Sequence, residues 1–435
     1  MMITTVIYGF VWMLLISWLE GKKTLLCGGV FSLLFITSIP LLEISTFQCL
    51  SFEVAFAMVI AGISLYSLWL YIDSKNTIFA LTFIFLSVWV YGSYQAFVPL
   101  MAAALSMTFL IRYTNNGDGI EKNYPLKVAG VLFVLFFLSI CIYLLVGKLI
   151  IIVLGIPSGD YTTNMILLGK VTFVELAKRF VSYIYGVFLN PSYGWNRLYL
   201  ISYIALPLTL LIYKHRLSMV CETPKKINGL FIFIAVFCSF TLPLVLPFIT
   251  GGGLVRGQFA LPFVMALSIG ISISMIFSLV NLNTRRSAIF VYLLQCCLSL
   301  LFIRWCIVPD VRLMWTDAMV KRQQTLVTEE IVSKVHSVGG SSESRIVFLG
   351  QWHPKMNGSM KTGEILGKSF YEWDSQVQGG TNRRVLGYMK VMGYEFANPT
   401  NEDIAYAERI GSSISVYPNN NYVVKYGDLI IVRLS

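Results

Sequence analysis

Charge is what this sequence has least of. Only 13% of its 435 residues are Asp, Glu, Lys or Arg, and 56% are hydrophobic. A soluble domain carries about 25% charged residues, so a purely soluble protein is excluded. Histidine is nearly absent too. His215, His336 and His353 fall on different sides of the apolar segments or in the polar tail, which leaves no zinc site. The eight cysteines include none after Cys306, and their spacing suits neither a metal nor a disulfide framework. Cys27, Cys141, Cys238, Cys296 and Cys297 sit inside apolar runs, Cys221 in a basic loop, and Cys49 and Cys306 near segment ends, as small apolar fillers. A nucleotide-cradling loop is missing as well. GEILGKS (363–369) imitates one but has three residues between its glycines where the geometry needs four.

What the chain has instead is long apolar runs. Mean hydropathy is +0.72, and about 20 apolar residues cross a bilayer core of roughly 30 Å. Ten candidate spans are read at about 3–19, 24–42, 54–72, 77–93, 96–111, 128–147, 198–213, 229–249, 261–281 and 288–308. The fold class expected is an all-α polytopic membrane protein of about ten transmembrane helices with a small C-terminal α/β domain. Basic residues alternate between connections: Lys22-Lys23, Lys75, Arg112 with Lys122 and Lys127, Lys214 to Lys226, and Arg285-Arg286 share one side. Basic loops stay cytoplasmic, so both termini are expected outside, in the periplasm of a bacterial inner membrane. The net charge of +11 is explained by these loops and their contact with anionic lipid, with no nucleic-acid partner.

Two outer regions are too polar to span. Residues 148–196 carry Asp160, Glu175, Lys178 and Arg179, and Phe173, Leu176, Phe180 and Tyr183 recur at helical spacing, which fits an interfacial helix. The tail 309–435 is charged throughout. Thr316 to Val338 reads as a helix, RIVFLG (345–350) as a strand, and NYVVKYGDLIIVRLS (421–435) as a hairpin about Tyr426-Gly-Asp428. The domains expected are therefore 1–308, transmembrane, and 309–435, a periplasmic α/β domain.

Candidate chemistry lies in the outer loops. Glu43 and Glu53 are the only charges in PLLEISTFQCLSFEVAF. Each is either an interfacial carboxylate left in water or a base facing an acceptor hydroxyl. TGGGLVRGQFALP (250–262) has a single charge, Arg256, among glycines that let backbone approach a ligand. A guanidinium there can fork two donors onto a phosphate. WVYGSYQAFVPLMAAALSM (89–107) interrupts two apolar runs with Tyr91, Ser93, Tyr94 and Gln95, uncharged groups suited to a hydroxyl-rich ligand such as a sugar. Tyr94 and Gln95 are the sugar-binding candidates.

SYQAFVPLMAAA, PLLEISTFQ…SFEVAFAMVIA, the Arg256 loop and the tail pattern GKSFYEWDSQ…RRVLGYMKVMGYEF…SVYPNNNYVVKYGDLIIVRLS resemble the phage-type serotype-converting O-antigen glucosyltransferases. The likeness runs from about Pro40 to the C-terminus, and these enzymes are similar to the multispanning, lipid-donor glycosyltransferases. The resemblance implies transfer of glucose from undecaprenyl phosphate to a lipid-linked O-antigen repeat unit at the periplasmic face, without metal or other cofactor. Arg256, read from its own loop, either holds the donor phosphate or pairs with a lipid head group. The family's acid usually sits in a first periplasmic loop after a cytoplasmic N-terminus. Here the first span runs outside to inside and matches the family's second. The expectation is that a preceding span and its acid-bearing loop are missing, that the chain alone is weak or inactive, and that Glu43 and Glu53 stand in by position only. The alternatives are a flippase or transporter of lipid-linked sugars, which would show charges deep in the spans or a repeat, and an O-antigen polymerase, which would show a large central loop.

Overall fold

A computed structural model describes residues 2–21, 26–115, 124–155, 166–191, 195–220, 228–278, 285–374 and 379–435. Lys22, Lys23, Lys122, Asp160, Cys221, Lys225 and Lys226 lie outside the described residues. The chain divides into two compact units, Met1–Asp310 and Val311–Ser435.

The first unit is helical. Its elements are α1 (Met2–Glu20), α2 (Leu26–Ile36), α3 (Ile39–Ser45), α4 (Gln48–Ser74), α5 (Thr77–Ser93), α6 (Phe97–Asn115), α7 (Tyr124–Leu154), α8 (Phe173–Ile184), α9 (Leu198–Val220), α10 (Gly229–Thr241), α11 (Val245–Thr250), α12 (Ala260–Ser278) and the start of α13 (Arg285–Ser337). Each of the ten apolar runs contains helix among the described residues. Among the described residues, seven stretches are long and apolar enough to cross a membrane, or eight if the bent pair α2 and α3 is one span, while α1 and α5 are apolar but shorter. Helix α7 carries its apolar side chains outward nearly all round, with Phe133, Leu145, Ile152 and Val153 exposed. Such a surface is stable only in an apolar solvent. Helix α12 is the reverse, buried over almost its whole length. It packs against α2, α6 and α9, and Phe263 seats its ring 5.1 Å from Trp12, 5.2 Å from Phe31 and 5.6 Å from Phe35. This aromatic knot is the core.

The apolar run at 24–42, expected as one span, is not one straight helix but a bent pair. The chain breaks after Ile36 and bends by 50° into α3. Ser38 is extended (φ −94°, ψ 137°) and Pro40 stands in the first turn of α3. A proline lacks an N–H and its ring clashes with the carbonyl four residues earlier, here Ile36, so it is tolerated only in a helix's first turn. Helix α3 is therefore a separate short element, and it carries Glu43.

The uncharged cluster after Trp89 has a structural use. Tyr91 is wholly buried and accepts from Ser139 Oγ at 3.4 Å, and Gln95 Nε2 donates to Tyr143 Oη at 3.2 Å. Both bonds tie the C-terminal end of α5 and the residues just after it to α7. Interhelical bonds of this kind hold apolar helices whose surroundings give no hydrophobic drive to associate.

The second unit is a three-stranded sheet with helices on both faces. Strands β1 (Arg345–Leu349), β2 (Val423–Tyr426) and β3 (Leu429–Arg433) lie in the order β1-β3-β2, with β1 parallel and β2 antiparallel to β3. Gly427, at φ +60°, opens the two-residue turn between β2 and β3, as a primed hairpin turn requires. Side chains alternate across the sheet. Ile346 and Phe348 pack on Ile331 and Val335 of α13 and on Val385 and Met389 of α14 (Gly380–Val391). Val347 and Ile431 pack on Ile404 and Ala407 of α15 (Asn401–Ile410). The helix expected at Thr316 to Val338 is not separate: α13 runs unbroken through Pro309. A proline inside a helix removes one backbone bond without necessarily ending it.

Candidate functional site

The sequence candidates do not share one environment. Glu43 is wholly buried in α3. Of the two sequence readings, the carboxylate left in water does not describe it, because burying a carboxylate is costly unless it is engaged. Helix α3 packs against a single 3-10 turn, Val255–Gly257, which holds Arg256. Arg256 is half-buried, its Cζ 5.3 Å from the centre of the Phe47 ring at the start of α4. A cation over an aromatic face at that distance is held in place by the ring quadrupole.

Tyr94 belongs to the same neighbourhood. Its ring lies 5.8 Å from Phe259, and a methyl group on Gly257 would come within 3.8 Å of its hydroxyl. Elements bearing Glu43, Arg256 and Tyr94 therefore meet around residues 254–259. Two candidates fall elsewhere. Glu53 is exposed on α4 beside the exposed rings of Phe52 and Phe56. Gln95 is exposed, its amide bonded to Tyr143.

Local chemistry explains the loop's shape. Gly251 adopts φ +66° after α11, and Gly252 N–H returns to Pro247 O at 2.8 Å. This is the glycine-terminated helix end in which a left-handed residue lets the chain reverse. Thr250 Oγ1 donates to Leu246 O at 2.9 Å and also to Gly252 O. At Gly253 the backbone passes so close to Gln258 that a β-carbon would sit 2.4 Å from Nε2, and Gln258 is itself only 2% exposed. Leu167 and Leu168 donate their amides to Ile249 O at 3.1 Å, which joins the segment before α8 to the same loop. The loop then enters α12, the most enclosed helix, so Arg256 stands on a rigid base.

A further carboxylate escaped the sequence reading. Asp310 falls within the expected polar tail 309–435, yet it ends the first unit and lines a cavity of about 140 Å³ with Thr5, Tyr8, Ser45 and Ser51. Its Oδ1 is buried without a hydrogen-bond partner among the described residues. Leu41 and Ile44 of α3 wall the same cavity, so Glu43 and Asp310 border one short helix. Its signal was an acidic residue immediately after Pro309 at the end of an apolar run. No group of three or more His, Cys, Asp or Glu able to hold a metal occurs among the described residues.

The sequence model of one family, described as Glucosyl transferase GtrII, matches residues 1–305. Neither a curated protein nor a solved structure matches the chain. The match covers well over half of the sequence, and the chain belongs to the GtrII glucosyl transferase family.

Proposed function

We propose that this family member transfers glucose from undecaprenyl-phosphate-glucose to a hydroxyl of a lipid-linked O-antigen repeat unit, at the periplasmic face of the bacterial inner membrane. The observation that carries the proposal is the wholly buried Glu43 on a broken helix packed against the Arg256 turn. In the reaction the acceptor oxygen attacks the anomeric carbon of glucose. The bond from that carbon to the phosphate oxygen breaks, and the lipid phosphate leaves with the electron pair. Glu43 takes the acceptor's hydroxyl proton. Arg256 faces the negative charge that grows on the departing phosphate, which its planar fork can meet with two donors. Tyr94 adds a hydroxyl for the sugar. Glu53 and Gln95, both exposed, have supporting rather than chemical parts in this account.

The topology proposed has ten passes: the seven long apolar helices, the bent pair, and the shorter α1 and α5. The polar segment around α8, the Arg256 loop and the C-terminal unit then belong to the periplasm, where nucleotide sugars are absent and a lipid-borne donor is needed. The test is to supply labelled undecaprenyl-phosphate-glucose and lipid-linked O-antigen repeat units to membranes holding the chain. Label in the repeat unit supports the reading. Label that only crosses the bilayer indicates a transporter, and lengthening of the O-antigen without glucose indicates a polymerase.

A further inference from the structure

A second cavity lies beside the proposed catalytic loop, in a part of the chain that no candidate residue above occupies. It is an open cleft of about 460 Å³ lined by Arg179, Ser182, Tyr183, Gly186, Trp195 and Gly251. That volume falls in the range of small-molecule sites. Gly251 belongs to the same loop as Arg256, so the cleft adjoins the site where the donor phosphate is placed.

Its walls have the chemistry of a site for neutral polyhydroxyl compounds. Trp195 and Tyr183 meet edge to face at 6.0 Å, and Trp195 meets Tyr199 at 5.5 Å. Aromatic walls of this kind accept the apolar CH faces of hexoses, while Ser182, Tyr183 and Arg179 offer donors to their hydroxyls. The Tyr183 hydroxyl is buried with no hydrogen-bond partner among the described residues. A buried donor in that condition calls for a partner from outside the protein. Arg179 is the single cation among the described lining residues, and its Nε is 2.7 Å from Glu175 Oε1. That pairing cancels the positive charge and argues for an uncharged ligand rather than a second phosphate.

The backbone keeps the space open. After α8 the chain takes a π-helical turn at Tyr185–Leu189, a conformation well under 1% of residues and concentrated at functional sites. The turn brings Gly186 to the cleft, and nothing lies within 4 Å of where its β-carbon would stand.

We infer that this cleft seats the saccharide of the O-antigen acceptor. The inference rests on the glucosyl-transfer reading above and adds where the acceptor binds. It is tested with the full-length chain in nanodiscs, measuring glucose transfer while undecaprenyl-diphosphate-linked O-antigen repeat units are titrated at saturating donor. Tyr183→Phe removes only a hydroxyl that has no protein partner, so a structural role leaves kinetics untouched. If the cleft holds the acceptor, this change raises acceptor KM about two- to twelvefold and leaves donor KM unchanged. Gly186→Leu fills the open space and raises acceptor KM by roughly tenfold or more. An unchanged acceptor KM in Tyr183→Phe, with wild-type transfer intact, overturns the cleft while sparing the function. Should Gly186→Leu fail to fold, Tyr183→Phe decides alone. A wild-type chain that transfers glucose to no repeat unit overturns the underlying reading and this inference with it.

Discussion

Gly253→Ala is a small change with a calculable effect on the proposed site. The added methyl would lie 2.4 Å from Gln258 Nε2, 3.0 Å from its Cδ and 3.1 Å from its Cγ. The first distance is far inside van der Waals contact. All three atoms belong to one side chain, and Gln258 is almost fully enclosed, so it cannot swing out into solvent. Either the amide leaves its bed or the loop carrying Arg256 shifts. Overpacking of this kind costs about 1–3 kcal/mol. If that cost falls on the transition state, glucose transfer slows by roughly 5- to 150-fold, at about 1.36 kcal/mol per tenfold. The assay is transfer of labelled glucose in membranes matched for protein abundance. Because the clash involves Gln258 alone, Gln258→Ala in the same chain should restore part of the loss, and the double-mutant cycle should show coupling between the two positions. A Gly253→Ala enzyme of wild-type rate, or a double variant whose losses simply add, would refute the claim that this contact fixes the loop.

Other outcomes follow from single residues. Arg256→Ala should abolish transfer and Arg256→Lys restore only part of it, since lysine keeps the charge but loses the bidentate fork; kcat at saturating acceptor is the readout. Asp310→Asn keeps the shape of the cavity beside α3 and, if the carboxylate serves the reaction, lowers transfer without lowering membrane abundance. In the C-terminal unit, Phe348→Ala empties a site that is 3% exposed and should destabilise that unit by about 3–5 kcal/mol, seen as faster limited proteolysis of the full chain. Asp403 is held below the usual carboxylate range: partial desolvation acts upward, but the Thr400 backbone and hydroxyl bonds and Arg345 outweigh it. A carboxyl lowered on folding stabilises above its unfolded pKa of about 3.9 and loses that contribution as pH falls through its folded value. Wild type should therefore lose its stability advantage over Asp403→Asn on acidification, by proteolysis at graded pH.

Much of the helical layout was legible because hydropathy reports composition over a long window. Even runs such as 77–93 coincide with their helix, α5. The break that creates α3 was not legible in that way, since LLEIS adds only one charge to an apolar run, and averaging across it hides Pro40. The same average hid the depth of Glu43. The helix expected at Thr316 to Val338 was set apart by the change from apolar to polar composition, yet it continues the helix that contains Pro309. The hairpin at 421–435 could be read because period-two apolar residues flank a Gly-Asp turn. Gln95 was readable as a polar group at a helix end, but its bond to Tyr143 depends on a contact 48 residues away. The cleft at Arg179 and Trp195 joins α8 to the residue-251 loop across some seventy positions, a pairing that no local pattern encodes.

The central claim is that a buried carboxylate beside the Arg256 loop drives glucose transfer. The direct measurement is the rate at which Glu43→Gln, near-identical in shape, moves labelled glucose from undecaprenyl phosphate to O-antigen repeat units, compared with wild type at equal abundance. Loss of a general base predicts a fall of about 10²- to 10⁴-fold with donor binding retained. A Glu43→Gln chain that transfers glucose at the wild-type rate would contradict the account.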